Sequence, residues 1–122
     1  MSAGAGAERH ARSHVTTHVL DSVTGRPAAG VTAELDQRVG IDWVPLATGE
    51  TDADGRLAVL GPPVLPAGRY RIRFDTGAWF ARAGRATFYP EVTITFDLAE
   101  VSEHYHVPLL LSPFAYSTYR GS

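Results

Sequence analysis

The sequence contains no cysteine and no lysine, and all 11 of its basic side chains other than histidine belong to arginine. Without cysteine the chain has no disulfide, no thiolate metal ligand and no thiol nucleophile. Without lysine it has neither a Schiff-base lysine nor a lysine general base. Any reaction that this chain catalyses must therefore use other side chains.

The sequence also lacks a long apolar run and an excess of positive charge. No segment approaches the roughly 20 apolar residues of a membrane-spanning helix. The formal net charge is −2, which argues against electrostatic binding of nucleic acid. We therefore expect neither a membrane nor a nucleic acid as partner, and a cytoplasmic location. Residues 1–13 are rich in Ala, Gly, Arg and Ser and predict a disordered leader, and residues 14–122 predict one domain.

Short alternating segments separated by turn residues predict an all-β protein. The clearest is 69–75, where Tyr70, Ile72 and Phe74 alternate with three arginines. Other strands are predicted at 15–21, 31–39, 43–51, 56–60, 91–98 and in two C-terminal runs. Only residues 76–84 predict a helix, with Thr76 as its N-cap and Gly84 at its end. Seven or eight such strands and one short helix predict a two-sheet antiparallel β-sandwich.

Histidines stand out among the candidate functional residues. His104 and His106 share one face of a predicted strand with Pro108 and Leu110. Because both faces of this strand are largely apolar, we expect a second subunit to cover the histidine face. Two same-face histidines with His18 as a third ligand form a possible zinc site, which ranks below a site without metal. Any one of these histidines taken alone is better explained as an ordinary surface or interface residue.

Two arginines are further candidates because of their positions in the chain. Arg56 directly follows the predicted tight turn at 52–55, from which a side chain can reach across a cleft. Arg120 lies in the last four residues, directly after strand-forming residues. The turn itself resembles the start of a calcium loop but lacks the later acidic ligands. Neither arginine identifies a function alone.

Several separated motifs resemble the transthyretin-like 5-hydroxyisourate hydrolase family of urate breakdown. The segments that carry the resemblance cover nearly the whole chain after the leader and are His106–Pro113, Tyr116–Ser122, Thr17–Asp21, Gly25–Ala28, Thr51–Arg56 and Phe88–Val92. The resemblance implies a transthyretin-like sandwich of eight strands and one helix, assembled as a homotetramer with its sites between dimers. It implies hydrolysis of 5-hydroxyisourate to 2-oxo-4-hydroxy-4-carboxy-5-ureidoimidazoline, without metal or cofactor.

The resemblance also implies which residues form the site. The implied catalytic residues are His18, Arg56, His106 and Ser122. The implied substrate-binding residues are His18, Arg56, Tyr119, Arg120 and Gly121. Which histidine acts as base and which as acid stays open, as does the role of His104. The alternative function is a transthyretin-like carrier that binds a small aromatic ligand such as thyroid hormone in the channel between dimers.

Overall fold

The computed structural model describes residues 12–122. These residues form nine strands and one helix, which are β1 (Val15–Asp21), β2 (Arg26–Pro27), β3 (Thr32–Val39), β4 (Asp42–Glu50), β5 (Arg56–Leu57), β6 (Gly68–Phe74), α1 (Thr76–Arg82), β7 (Val92–Leu98), β8 (Tyr105–Ser112) and β9 (Ala115–Thr118). Within this part of the chain, no helix has the length and apolar character needed to cross a membrane.

The strands form two sheets. One sheet has the order β2–β1–β8–β9, with β5 also paired to β1, and the other has the order β4–β3–β6–β7. The predicted two-sheet sandwich with one short helix is confirmed. The other strand pairs are antiparallel as predicted, but β1 and β8 run parallel, with Thr16 opposite His106. This pair joins two segments that lie far apart in the sequence and places their side chains on the same faces.

The core lies between the sheets and follows the predicted alternation. Tyr70, Ile72 and Phe74 of β6 are fully buried. On the opposite face of the same sheet, Arg71 and Arg73 donate through Nε to one oxygen of the buried Asp36 carboxylate, at 2.7 and 2.8 Å. Both arginines therefore pair with the buried Asp36 carboxylate on that face, while the apolar residues fill the interior.

The N-cap of α1 lies one residue earlier than the sequence predicted. The Asp75 side chain accepts a hydrogen bond from the Ala78 amide, whereas Thr76 lies fully buried in the first turn. The predicted Thr76 cap is therefore wrong, because Asp75 supplies an N-capping carboxylate and Thr76 is packed against the core. Gly84 follows the helix end with a φ of +68°, as the predicted termination requires.

Ser13 connects the start of β1 to the segment after β5 through hydrogen bonds. Its amide donates to the Ala58 carbonyl, and its hydroxyl donates to the Gly61 carbonyl at 2.7 Å and accepts from Leu60. These bonds replace the strand ladder, so the predicted strand at 56–60 was wrong beyond Leu57. Ser13 is buried, although the sequence prediction assigned it to the leader. Residues 1–11 lie outside the described residues, and the leader stays a prediction there.

Candidate active site

Three of the predicted site residues lie on one face of the five-stranded sheet. His18 in β1 pairs with Arg56 in β5, and Thr16 in β1 pairs with His106 in β8. Since partners in register point to the same side, Arg56 and His106 share the face of Thr16 and His18. The alternate residues of β1, among them Val15 and Val19, are buried in the core. The face predicted for the histidines is therefore confirmed.

A tight turn brings Arg56 to this face. Asp52 shapes the turn, because its carboxylate accepts hydrogen bonds from the amides of Asp54 and Arg56, both at 2.9 Å. Gly55 has a φ of +75°, and its carbonyl accepts a hydrogen bond from the Val19 amide at 2.7 Å. A Cβ atom at Gly55 would lie 2.4 Å from the Val19 carbonyl oxygen. Only glycine allows this approach, which fixes Arg56 beside β1.

The chain terminus folds back onto His106. The Gly121 amide donates to the His106 carbonyl at 2.8 Å, and the two residues form an isolated bridge. A Cβ atom at Gly121 would lie 2.5 Å from Cδ2 of the His106 ring. The absence of a side chain therefore lets the backbone cover the imidazole and brings Ser122 to the same place.

These residues surround a cleft of about 190 Å³. Its lining residues are Arg12, Thr16, Thr17, Arg56, Leu57, Ala58, His104, His106 and Ser122. The structure thus brings Arg56, His106 and Ser122 together as the family resemblance implied. Arg12 and Thr16 were missed. Thr16 shares a face with His18 by strand alternation, but its nearness to His106 depends on the parallel pairing of β1 with β8.

The cleft favours a neutral His106. Burial lowers the pKa of His106, and the positive charges of His18, Arg56 and Arg12 lower that pKa further. Nδ1 of the ring lies 2.8 Å from the Thr16 hydroxyl, which leaves Nε2 as the nitrogen available to water or a ligand. A neutral imidazole with one free nitrogen beside a guanidinium combines a base with an anion-binding group.

His18 lies near this cleft but does not line it. Nε2 of His18 is 2.9 Å from the Asp54 carbonyl oxygen. Since a carbonyl only accepts, Nε2 carries the hydrogen and Nδ1 is the free nitrogen. The turn that positions Arg56 therefore also orients His18.

In the single chain, Tyr119 and Arg120 lie outside the cleft that contains Arg56 and Ser122. They line a second hollow of about 260 Å³ that shares only His106 with the first. The Arg120 guanidinium donates to the Glu103 carboxylate at 2.9 Å and lies 4.3 Å over the Tyr105 ring. Of the four terminal residues, Gly121 and Ser122 adjoin the first cleft, and the binding roles implied for Tyr119 and Arg120 stay predictions.

The histidines do not form a three-ligand metal group in the single chain. Among residues 12–122, no three His, Cys, Asp or Glu side chains lie close enough together to hold an ion. Nε2 of His104 and Nδ1 of His106 instead hydrogen-bond to the Thr16 hydroxyl, at 2.9 and 2.8 Å. The zinc alternative would require these rings to rearrange.

Comparison with known proteins identifies the family of this chain. The HIUase/Transthyretin family model matches residues 15–121. A 5-hydroxyisourate hydrolase of Salmonella dublin is 48% identical over 109 residues, which make up 88% of this chain and 80% of that protein. The structure of Klebsiella pneumoniae 5-hydroxyisourate hydrolase is 45% identical, with a TM-score of 0.79 over 88% of this chain and 98% of that one.

A sea bream transthyretin structure in complex with thyroxine is also similar, at 36% identity and a TM-score of 0.81. It covers 88% of this chain and 93% of its own. A hydrolase and a thyroxine-binding protein thus share this fold, and the fold alone does not separate the two functions. Because the family model spans nearly all of the described residues, this chain belongs to the HIUase/Transthyretin family.

Proposed function

We propose that this chain is a cytoplasmic enzyme that hydrolyses 5-hydroxyisourate to 2-oxo-4-hydroxy-4-carboxy-5-ureidoimidazoline. The observation that carries the proposal is a cleft lined together by Arg56, Ser122 and a partly buried His106, whose pKa burial and nearby cations lower. The relatives with 45 to 48% identity are 5-hydroxyisourate hydrolases. A carrier needs an apolar channel but has no use for a base with one free nitrogen.

His106 activates the water in this proposal. Its free Nε2 accepts a proton from the water as the water oxygen bonds to the ring carbonyl carbon of the substrate. The carbonyl oxygen gains negative charge, which the Arg56 guanidinium stabilises. The carbon–nitrogen bond then breaks, the leaving nitrogen takes up a proton, and the carbonyl carbon becomes a carboxylate. These steps require neither metal nor cofactor, because the side chains supply base, acid and charge.

His18 is the second proton-transfer group of the proposal. Its ring lies close enough to His106 for its charge to lower the pKa of that residue. The hydrogen bond to Asp54 holds His18 Nε2 in place and leaves Nδ1 free to exchange a proton. His18 and His106 thus share water activation and protonation of the leaving nitrogen.

The chain terminus binds the substrate in this proposal. Ser122 lines the cleft and supplies hydrogen bonds to substrate or water, and Gly121 lets the backbone approach closely. Tyr119 and Arg120 add binding groups from the neighbouring hollow. Since these two residues lie at the border of the single-chain cleft, their contribution depends on how subunits assemble.

We propose a homotetramer, a dimer of dimers, as the active assembly. β7 and β9 are edge strands of the two sheets, and residues of both strands line one largely apolar hollow together with Val107 of β8. Ile94 and Phe96 are the apolar residues that β7 contributes to it. Unpaired strand edges next to an apolar hollow fit the addition of strands from a second copy. Pairing of dimers across the histidine face then encloses the cleft.

The test measures the ultraviolet decay of 5-hydroxyisourate that urate oxidase produces in place. We expect the wild-type protein to accelerate this decay above the spontaneous rate. We expect the variant His106→Asn to lower kcat by about 10²- to 10⁴-fold, the usual contribution of a general base, while its thermal melt and oligomeric mass stay those of the wild type. Decay at the spontaneous rate with wild-type protein would instead favour the carrier.

A further inference from the structure

The Thr16 hydroxyl lies between two imidazole rings. Its Oγ1 is 2.9 Å from Nε2 of His104 and 2.8 Å from Nδ1 of His106. Thr16 is 5% exposed, so water does not compete freely for this hydroxyl. The parallel register of β1 and β8 places Thr16 opposite His106, and His104 lies two residues earlier on the same face. The three side chains therefore form a continuous hydrogen-bonded chain that reaches the cleft.

A single hydroxyl hydrogen couples the two rings. If Thr16 donates to His104, the hydrogen between Thr16 and His106 must come from Nδ1 of His106, and both rings are then Nδ1–H tautomers. If Thr16 donates to His106, both rings are Nε2–H tautomers instead. In the first state Nε2 of His106 has a free lone pair toward the cleft, as a base requires.

We propose that Thr16 and His104 are positioning residues that hold His106 in the base tautomer and take over its proton. This proposal rests on the hydrolase function. When Nε2 of His106 accepts a proton from water, its Nδ1 proton passes to the Thr16 oxygen. The Thr16 hydroxyl hydrogen passes to Nε2 of His104 at the same time. His106 ends neutral with its hydrogen on Nε2, Thr16 is unchanged, and His104 carries the positive charge.

Partly different charges oppose a proton on the two rings. The ionisable groups that act on His106 are His18, Arg56 and Arg12, and those that act on His104 are Arg12, His106 and His14. Burial lowers the pKa of both rings, and Arg12 lowers both further. Arg56 and His18 oppose a charge on His106, and His14 opposes a charge on His104. Proton transfer through Thr16 therefore moves the charge from the ring affected by Arg56 and His18 to the ring affected by His14.

The kinetic test compares Thr16→Val, which keeps the shape and removes the hydroxyl, with Thr16→Ser, which restores the hydroxyl. We expect Thr16→Val to lower kcat by about tenfold or more, the rate equivalent of one hydrogen bond, with little change in KM. Thr16→Ser recovers most of that loss. Thr48→Val on the exposed edge strand β4 is the matched control and keeps wild-type kinetics. Equal kcat losses in the Ser and Val variants of Thr16 would exclude a role for the hydroxyl.

A double-mutant cycle tests the role of His104. His104→Gln can still hydrogen-bond to Thr16 but cannot accept the proton, so we expect a loss like that of Thr16→Val. The double variant should lose no more than either single variant, because both interrupt one chain. Full activity of His104→Gln would leave Thr16 as an orienting group only and would overturn the relay.

A measurement without substrate separates this proposal from the proposed function. In nitrogen-15 NMR spectra of the wild type, we expect the rings of His104 and His106 to share one tautomer. In Thr16→Val we expect their tautomers to become independent, with a thermal melt as the check that the variant is folded. Unchanged ring spectra in Thr16→Val would contradict the relay whether or not the protein is a hydrolase. An inactive wild-type protein with coupled rings would contradict only the function.

Discussion

His106 is the residue on which the proposed chemistry depends, and its surroundings explain why it can act as a base. Burial lowers its pKa below the ordinary value of 6.5, and nearby cations lower it further. The ring is therefore neutral at neutral pH, and the Thr16 hydroxyl occupies only one of its nitrogens. The same cations that keep His106 neutral also attract an anionic substrate or transition state.

The pH dependence of activity follows from this shift. A base acts only when it is unprotonated, so kcat/KM falls on the acid side at the pKa of His106 in the free enzyme. Because that pKa is lowered, we expect the acid limb below pH 6.5, with activity retained at pH values where an ordinary histidine is largely protonated. Initial rates across a pH series measure the limb. A limb above 6.5 would contradict the assignment.

Replacement of Arg12 provides the control for this limb. The Arg12 charge lowers the pKa of His106, so we expect Arg12→Gln to move the acid limb to higher pH.

The lowered pKa of His106 also makes stability depend on pH. Between the folded and unfolded pKa values of His106, the unfolded chain binds more protons than the folded chain. The free energy of unfolding therefore decreases as the pH falls from about 6.5 toward the folded pKa. Urea unfolding at several pH values checks the sign.

At the scale of elements, the two-residue strand β5 determines where Arg56 lies. It pairs with β1 only because Gly55 brings its backbone to within a hydrogen bond of Val19. We expect Gly55→Ala to destabilise the protein by about 2 kcal/mol or more, from the left-handed φ together with the lost Val19 hydrogen bond. We expect it to lower activity as well, because Arg56 leaves its position. Urea unfolding and the 5-hydroxyisourate assay measure the two effects.

Gly40 is a control that distinguishes the cost of backbone strain at Gly55 from the cost of its close contact with Val19. Gly40 also has a positive φ, of +62°, but a Cβ atom there would have nothing within 4 Å. We expect Gly40→Ala to cost about 1 kcal/mol from backbone strain alone and to leave activity unchanged. Equal effects of the two substitutions would show that contact between β5 and β1 does not position Arg56.

Strand alternation and family motifs predicted much of this site, but they could not predict which strands pair with each other. Alternation placed His18 and His106 on faces opposite the core, and the structure confirms both faces. It could not show that β1 and β8 are parallel neighbours, which places Thr16 between His104 and His106. Local propensity also favoured Thr76 as the helix cap, whereas tertiary packing buries it and Asp75 takes that role.

At the scale of the whole molecule, the open side of the sandwich predicts how copies assemble. Ile94 on β7 is half-buried and lines the apolar hollow beside β9, while Thr95 next to it is exposed on the opposite face of the strand. We expect Ile94→Arg to weaken assembly, because a charge in this hollow loses its water when a second copy covers it. Light scattering after size exclusion should then give one or two times the 13.1 kDa chain mass instead of four.

Thr95→Arg is the matched control, since it adds the same charge to the other face of the same strand and should leave the assembly intact. A melt of Ile94→Arg distinguishes loss of assembly from loss of fold. If the site depends on a second subunit, dilution should lower the specific activity of Ile94→Arg while the wild type keeps its own. A folded monomer with wild-type specific activity would show that one chain holds the complete site, and Tyr119 and Arg120 would then have no intersubunit role.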